Sequence, residues 1–356
     1  MAKTVEQWLN TVDYSNNQFY IPTDFALDFI NFVKLVNGGE GEENKTPVLH
    51  YKMLDTLVGK NNRIANMVHR GAAKTTLMAE YLFLYLAVHG GMLPGFGCIE
   101  FALYVSDSID NGVKNMRKNL QFRYENSAFL QQYIKDARFT DIEWQFTNIE
   151  GKNFIVKGYG AKTGVRGTRA LNKRPKLAVL DDLVSDEDAR SPTVIASIEE
   201  TVHKAVMFAL HPKQNKIIWS GTPFNAGDPL YKAVESSAWN VNVYPVCEKF
   251  PCEREEFRGS WEDRFSYDYV KEQYDAAVLQ GKVDTFNQEL MLRIMSDEDR
   301  LISDSDIRWY DSKTLMSRRS DFNFYITTDF ATTEKESADY SVISVWAYNN
   351  NGDWFW

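Results

Sequence analysis

The sequence predicts an α/β protein in which a mostly parallel sheet is flanked by helices. Short apolar runs that indicate strands lie near residues 64–68, 101–105, 153–157, 177–180 and 216–219. Segments with helical apolar spacing lie near residues 75–88, 109–124 and 194–210. Strands that alternate with helices are typical of parallel crossover units. Polar residues follow three of the strands directly, which predicts one crevice at the carboxyl edge of the sheet.

Composition excludes several classes of protein. The chain has 356 residues, of which 44% are hydrophobic and 25% charged, as expected of a globular protein with an ample core. No apolar run reaches the roughly 18–20 residues of a membrane span, and the first residues lack the pattern of a signal peptide. Three cysteines do not make a disulfide framework, which indicates a reducing, cytoplasmic compartment. The net charge of −9 argues against a broad basic coat for DNA.

Changes of pattern along the chain predict four segments. Residues 1–48 form a helical segment, with apolar residues at helical spacing over 24–33. Residues 49–244 form the α/β domain, and residues 245–320 form a linker or small subdomain with helical patterns. Residues 321–356 contain two strands and a turn into a third, which we interpret as the start of a further, incomplete domain.

The loop at residues 69–76 connects the first predicted strand with the first long helix. Its layout is that of a phosphate-binding P-loop, because the N–H groups that open a helix hold phosphate oxygens. Lys74 would add a charge for the β- and γ-phosphates, and the Thr75 hydroxyl is a ligand for Mg²⁺. The usual spacing has glycines where this chain has Val68 and Ala73, and alanine is tolerated there if its φ is negative. A Gly-Ala loop without function ahead of a core helix is the alternative.

Two later strand ends supply partners for this loop. Asp181 and Asp182 end the strand at 177–180, and a carboxylate on a strand beside the P-loop typically anchors Mg²⁺. Ser220, Gly221 and Thr222 end the strand at 216–219. Because carboxyl ends of parallel strands share one edge, these groups are expected to converge with the loop. Each strand taken alone could equally precede an ordinary solvated loop.

Five ordered motifs over about residues 45–350 resemble the large terminase subunit of tailed bacteriophages, the ATPase motor and nuclease that packages viral DNA. They are residues 70–76, residues 164–169 with 174–182, residues 220–223, residues 261–266 with 286–289, and residues 329–331 with 337–341. This resemblance implies a P-loop NTPase fold, a linker subdomain and the truncated start of an RNase H-like nuclease domain.

The resemblance also implies roles for residues of the ATPase site. The residues that would bind ATP are Arg70, Gly71, Ala72, Ala73, Lys74, Thr75 and Thr76. Arg70 would sense the γ-phosphate, and Thr75 with Asp181 would hold Mg²⁺. Asp182 stands where much of the family has a glutamate as catalytic base; Glu187 is the alternative base.

Arg166 resembles the arginine that the family presents to a neighbouring subunit's nucleotide. A phosphate-backbone contact or a loop salt bridge is the competing interpretation. Ser220, Gly221 and Thr222 would couple the state of the γ-phosphate to the linker subdomain.

The partners implied by the resemblance are double-stranded DNA, a portal protein and a small terminase subunit. The chain would form a homo-oligomeric ring, a pentamer, on the procapsid and be a monomer when free. It would act in the host cytoplasm, be neither secreted nor membrane-bound, and hydrolyse ATP with Mg²⁺. The nuclease would use Mg²⁺ or Mn²⁺, with Asp329 as its first ligand. Because the other ligands would follow Trp356, this chain is not expected to cut DNA.

Two other functions fit parts of the pattern. A superfamily-2 helicase shares the P-loop, the acidic strand end and a Ser/Thr-rich third motif, but it needs a second motor domain that we do not find in the sequence. A non-catalytic P-loop scaffold is consistent with Ala72, Ala73 and the Asp181-Asp182 pair.

Overall fold

The computed structural model describes residues 3–38, 44–163, 170, 172–294, 310–329 and 342–356. The chain divides into two compact units, one up to Met295 and the other from Ser296 to Trp356. Each is described by itself. The predicted boundaries at residues 48, 244 and 320 stay predictions.

An eight-stranded sheet forms the centre of the first unit. The strands of this unit are β1 (Arg63–Val68), β2 (Met92–Leu93), β3 (Gly97–Cys98), β4 (Phe101–Ser106), β5 (Ile134–Phe139), β6 (Glu143–Asn148), β7 (Asn153–Gly160), β8 (Leu177–Asp181), β9 (Lys216–Gly221) and β10 (Asn240–Tyr244). The order in the large sheet is β10-β1-β9-β8-β4-β7-β6-β5. Neighbours from β10 to β7 are parallel, and β6 and β5 extend the sheet antiparallel. The prediction of a mostly parallel α/β sheet is confirmed.

Helices cover both faces of this sheet. Those described in the first unit are Val5–Leu9, Asn17–Phe19, Asp24–Asn37, Val48–Val58, Thr76–Tyr81, Leu82–Val88, Ile109–Val113, Lys114–Asn126, Ala128–Tyr133, Asp188–Arg190, Pro192–Glu200, Thr201–Val206, Met207–Ala209, Pro229–Glu235, Arg254–Glu256, Tyr267–Gln280, Val283–Phe286 and Asn287–Met291. The three predicted helices are each found as consecutive segments, in which a π-helical turn precedes or interrupts the α-helix. None of the described helices combines the length and low charge that a bilayer-spanning segment needs.

Strand β1 shows why the central strands have continuous apolar sequences. Ile64 and Val68 belong to the core on one face of the sheet, and Ala65 and Met67 to the core on the other. A strand covered on both faces carries apolar residues at both parities, as parallel sheets usually do. Asn66, also buried, is the polar exception.

The order of the strands at the carboxyl edge was not predicted from the sequence. In the structure, β9 lies between β1 and β8. The residues at the end of β9 therefore separate the loop that follows β1 from the carboxylates that end β8. The side chains of Lys74 and Thr75 reach across this gap because the loop carries them past the strand end.

The second unit contains a short helix, Ser312–Ser317, a single turn, Arg319–Asp321, and an antiparallel sheet. Its strands are β11 (Phe322–Asp329), β12 (Val342–Asn349) and β13 (Trp354–Phe355), in that order. Two strands and a turn into a third were predicted here. The residues between β11 and β12 lie outside the described residues, so the RNase H-like assignment stays a prediction.

Candidate nucleotide-binding site

The loop after β1 has the backbone of a tight turn into a helix. Gly71 has φ +83° and Ala73 has φ +60°. The condition expected for alanine, a negative φ, is therefore wrong for Ala73. A left-handed L-residue costs roughly 1–2 kcal/mol, because its Cβ approaches the following carbonyl oxygen. Ala73 thus adopts the conformation for which the usual pattern carries glycine.

Lys74 lies where the ends of three strands meet. Its side chain is largely buried, and Nζ lies 3.0 Å from Asp182 Oδ2. The same ammonium donates a hydrogen bond of 3.3 Å to Thr222 Oγ1. Thr222 in turn donates to the Val68 carbonyl oxygen at 2.7 Å. The lysine therefore connects the loop, the acidic strand end and the Ser-Gly-Thr turn.

Thr75 and Asp181 form the second contact across this edge. Thr75 Oγ1 donates to Asp181 Oδ1 at 2.8 Å, and Tyr104 OH donates to Asp181 Oδ2 at 3.0 Å. Burial, together with the charge of Asp182, raises the pKa of the Asp181 carboxyl well above its usual range. The sequence did not indicate Tyr104, since a tyrosine within a buried strand normally indicates packing.

A hydroxyl and a carboxylate side by side are suitable ligands for Mg²⁺, which prefers oxygen and takes few protein ligands beside a nucleotide. Among the described residues, no group of three or more His, Cys, Asp or Glu side chains could hold a metal ion by itself. The pair therefore fits a metal that arrives with phosphate, and the assignment of Thr75 and Asp181 as its ligands stays a prediction.

Asp182 has an unusual backbone and a half-exposed side chain. Its φ is +41°, and its N–H donates to the Ser220 carbonyl oxygen at 3.0 Å. This turn directs the carboxylate towards Lys74. The side chain of Glu187, the alternative base, is exposed and makes no hydrogen bond or ion pair with another described residue.

Two buried histidines hold carbonyl groups of the loop. His50 Nε2 lies 2.8 Å from the Ala72 carbonyl oxygen, and His69 Nδ1 lies 2.8 Å from that of Arg70. A carbonyl oxygen only accepts, so these ring nitrogens carry the protons. His69 Nε2 then accepts from the Ser260 hydroxyl at 3.1 Å.

Burial lowers the pKa of His50 to about 4 and that of His69 to about 3, so both rings are neutral at pH 7. Because the rings bind two carbonyl groups of the loop, those carbonyl groups point towards the histidines. The N–H groups of the loop can then face the opposite side. His50 had no signal in the sequence, because it lies on the helix Val48–Val58, well before the loop.

The segment 245–294, which we call the lid, packs on the same loop. The Phe265 ring lies 4.9 Å from the His69 ring. A Cβ at Gly71 would lie 3.0 Å from Phe265 Cζ, so the lid approaches the loop closely at a position whose φ of +83° already favours glycine. Arg70 contacts the lid twice, through its N–H to the Glu289 carbonyl oxygen at 2.9 Å and through Nη1 to Glu289 Oε1 at 3.1 Å. The Arg70 side chain is 68% exposed and points to the lid.

The Ser-Gly-Thr turn is also connected to the lid. Gln288 Nε2 donates to the Pro223 carbonyl oxygen at 2.8 Å. Ser220 Oγ accepts from Asn66 Nδ2 at 3.1 Å, and Asn66 Oδ1 accepts from Asn242 Nδ2 at 2.8 Å. These bonds cross from β9 through β1 to β10, the strand that leads into the lid. Gly221 packs closely on the Leu230 side chain, 2.9 Å from where a Cβ would lie.

Two cavities flank the loop. One of about 580 Å³ lies between the loop and the lid helices and is lined by Arg70, Gly71 and Phe265 among others. The other, of about 320 Å³, is lined by His50, Ala73 and Thr76 among others.

Nine of the predicted site residues fall into three groups. Those that the structure brings together are Lys74, Thr75, Asp181, Asp182 and Thr222. Arg70 and Ser220 adjoin this cluster, but their side chains bond to the lid and to β1. Arg166 lies outside the described residues, as does the side chain of Asp329.

Two solved structures are similar in fold. The large terminase ATPase domain of Thermus phage P74-26 is 11% identical with a TM-score of 0.47, and the similarity covers 78% of this chain and 100% of that domain. The large terminase of bacteriophage HK97 is 14% identical with a TM-score of 0.49, and the similarity covers 93% of this chain but 66% of that protein. At these identities and TM-scores, neither structure assigns an activity to this chain. The sequence matches no protein-family model and no curated protein.

Proposed function

We propose that this chain hydrolyses ATP as the motor subunit of a viral genome-packaging machine. One observation carries the ATPase part of the proposal. At the carboxyl edge of a parallel sheet, Lys74 and Thr75 from a strand–loop–helix turn meet the two carboxylates that end β8, with contacts of 3.0 and 2.8 Å. Phosphoryl transfer depends on positioning and on charge stabilisation, which this group of side chains supplies.

Each residue has a role in this proposal. The loop N–H groups and Lys74 bind the β- and γ-phosphates, and Thr75 and Asp181 hold Mg²⁺. The bound metal neutralises charge that develops on the phosphates. An incoming phosphate competes with Asp182 for Lys74, since Asp182 Oδ2 lies 3.0 Å from that ammonium. Once released, Asp182 orients the attacking water as the catalytic base.

Hydrolysis would be transmitted through the turn after β9. Thr222 bonds both to Lys74 and to the carbonyl group of Val68, so loss of the γ-phosphate alters its surroundings directly. Gln288 connects the same turn to the lid, and Glu289 connects the lid to Arg70. Movement of the lid against the sheet is therefore our proposed output of hydrolysis.

The packaging part of the proposal is supported by the five ordered motifs that resemble large terminases. In this proposal the chain moves double-stranded DNA through a portal, works with a small terminase subunit and forms a pentameric ring on the procapsid. Arg166 acts on the neighbouring subunit's nucleotide. Asp329 would be the first ligand of a two-metal nuclease site.

The test is steady-state phosphate release from ATP with Mg²⁺, measured at low and high protein concentration. We expect Lys74→Ala to abolish release, because it removes the phosphate-binding charge, and Lys60→Ala, at an exposed lysine before β1, to leave it unchanged. A rate that rises more than linearly with concentration would support action between subunits. If the unaltered chain neither hydrolyses nor binds nucleotide, the motor function is refuted and the non-catalytic scaffold is favoured.

A further inference from the structure

Arg264 of the lid lies beside the P-loop between the two cavities. It lines the cavity of about 580 Å³ together with Arg70 and Gly71, and it also lines the cavity of about 320 Å³ with Ala73 and Thr76. Because these cavities adjoin opposite parts of the phosphate-binding loop, the guanidinium group lies next to the loop.

Aromatic rings hold this guanidinium group in place. Its carbon lies 5.2 Å from the centre of the Trp261 ring and 5.5 Å from that of Phe265. Trp261 packs on His50 with ring centres 5.0 Å apart, and Phe265 packs on His69 at 4.9 Å. These are the histidines that hold the loop carbonyls. The stacking therefore ties the position of the charge to the backbone of the loop.

The charge of Arg264 is not balanced by any described side chain. The guanidinium group of Arg264 makes no hydrogen bond or ion pair with another described residue, and the nearby lid carboxylates are engaged elsewhere. Glu262 accepts from the Gly259 N–H at 2.8 Å, Asp263 accepts from the Lys45 N–H at 2.7 Å, and Glu289 pairs with Arg70. The positive charge also contributes to the lowered pKa of His50 and of His69. The site is thus suited to an anion.

We propose that Arg264 binds the polyphosphate of the nucleotide held by the P-loop, as a second cation beside Lys74. This inference rests on the proposed function and names a substrate-binding residue for it. Planar guanidinium groups suit phosphate oxygens, and a charge-assisted hydrogen bond of this kind changes affinity by about ten- to a hundredfold. Because Arg264 belongs to the lid, bound phosphate would also draw the lid onto the loop.

The test is equilibrium binding of ATP and of inorganic tripolyphosphate, each with Mg²⁺, to the whole chain. Arg264→Ala should weaken both ligands by about ten- to a hundredfold, and Arg264→Lys should restore part of the loss because it keeps the charge. Arg254→Ala is the matched control, since Arg254 is also an exposed lid arginine stacked on a ring, 4.6 Å from the centre of Tyr267. The control should bind as the unaltered chain does. The salt dependence of binding should be shallower in Arg264→Ala, which a purely structural role would not produce.

The outcomes separate this inference from the proposed function. If Lys74→Ala loses ATP but Arg264→Ala binds it normally, the role of Arg264 is refuted and the P-loop site stands. Equal losses in Arg264→Ala and Arg254→Ala would also refute it, since the effect would then come from the lid fold. If the unaltered chain binds neither ligand, the proposed function itself fails.

Discussion

Replacing His50 with glutamine should remove a specific acid sensitivity of the first unit. The folded protein buries His50 as a neutral ring that donates to the Ala72 carbonyl oxygen, and burial lowers its pKa to about 4. The unfolded chain, with a pKa of 6.5, takes up the proton first as pH falls. A depressed histidine pKa thus contributes stability that is complete above about pH 6.5 and is lost towards pH 4.

The size of the effect follows from these two pKa values. At pH 5, proton binding by His50 raises the statistical weight of the unfolded state by a factor of about 33 and that of the folded state by a factor of about 1.1. The unfolding equilibrium constant therefore rises by a factor of about 30. RT ln 30 is about 2 kcal/mol, so His50 alone should lower the free energy of unfolding by about 2 kcal/mol between pH 8 and pH 5. Glutamine keeps an N–H donor for Ala72 but does not titrate. His50→Leu, which does not titrate and also removes the donor, should be less stable than His50→Gln by about 1–3 kcal/mol at both pH values.

The assay is urea unfolding of the unaltered chain and of both variants at pH 8 and pH 5. The difference between the unaltered chain and His50→Gln should change by about 2 kcal/mol in favour of the variant on acidification. A difference that stays constant between the two pH values would show that His50 is not a buried neutral donor. A change of the opposite sign would refute the reasoning altogether.

Two further predictions concern carboxylates. Asp228 is buried at the start of the helix Pro229–Glu235, and burial raises its pKa to about 6 from 3.8. Its contribution to the stability of the folded state is therefore complete below about pH 3.8 and is lost as pH rises through 6. Asp228→Asn keeps the helix cap without the charge. In urea unfolding, the free energy of unfolding of this variant minus that of the unaltered chain should therefore rise by about 2 kcal/mol from pH 4.5 to pH 8. A free-energy difference that is the same at both pH values would contradict this. Glu289→Gln removes the partner of the exposed Arg70 side chain, and freeing Arg70 for phosphate should tighten ATP binding up to about fivefold, since such a pair is worth at most about 1 kcal/mol. Equilibrium ATP binding checks this against the exposed lid control Glu272→Gln, and weaker binding by Glu289→Gln would contradict the role of Arg70.

Four of the strands found from sequence are buried on both faces. β1, β4, β8 and β9 carry continuous apolar runs because helices cover both of their faces, so their signal survives without tertiary information. β5 and β6 were missed because they lie at the sheet edge, where only alternate residues are buried. β10, at the other edge, alternates asparagine with valine and gives a similarly weak pattern.

The candidate site was predictable to the extent that its residues follow strands. Lys74, Thr75 and Asp181 stand at fixed distances from apolar runs, so the chemistry of parallel strand ends places them near one another. His50, Tyr104 and Arg264 are remote from the loop in sequence, and nothing in their neighbours distinguishes them from ordinary core or surface residues. Their roles depend on distances between side chains, which a pattern of residue types does not contain.

The sequence by itself determined the class of fold, the loop that we propose binds phosphate and the residue types at the sheet edge, because local periodicity and burial can be read from neighbouring residues. Tertiary structure alone decided that β9 lies between β1 and β8, that Ala73 takes a left-handed backbone and that two histidines hold the loop carbonyls. The same holds for the lid, whose Phe265 and Glu289 reach Gly71 and Arg70 across about two hundred positions of chain. Such contacts arise from the packing of whole elements, and their free energy is shared among residues that no local pattern connects.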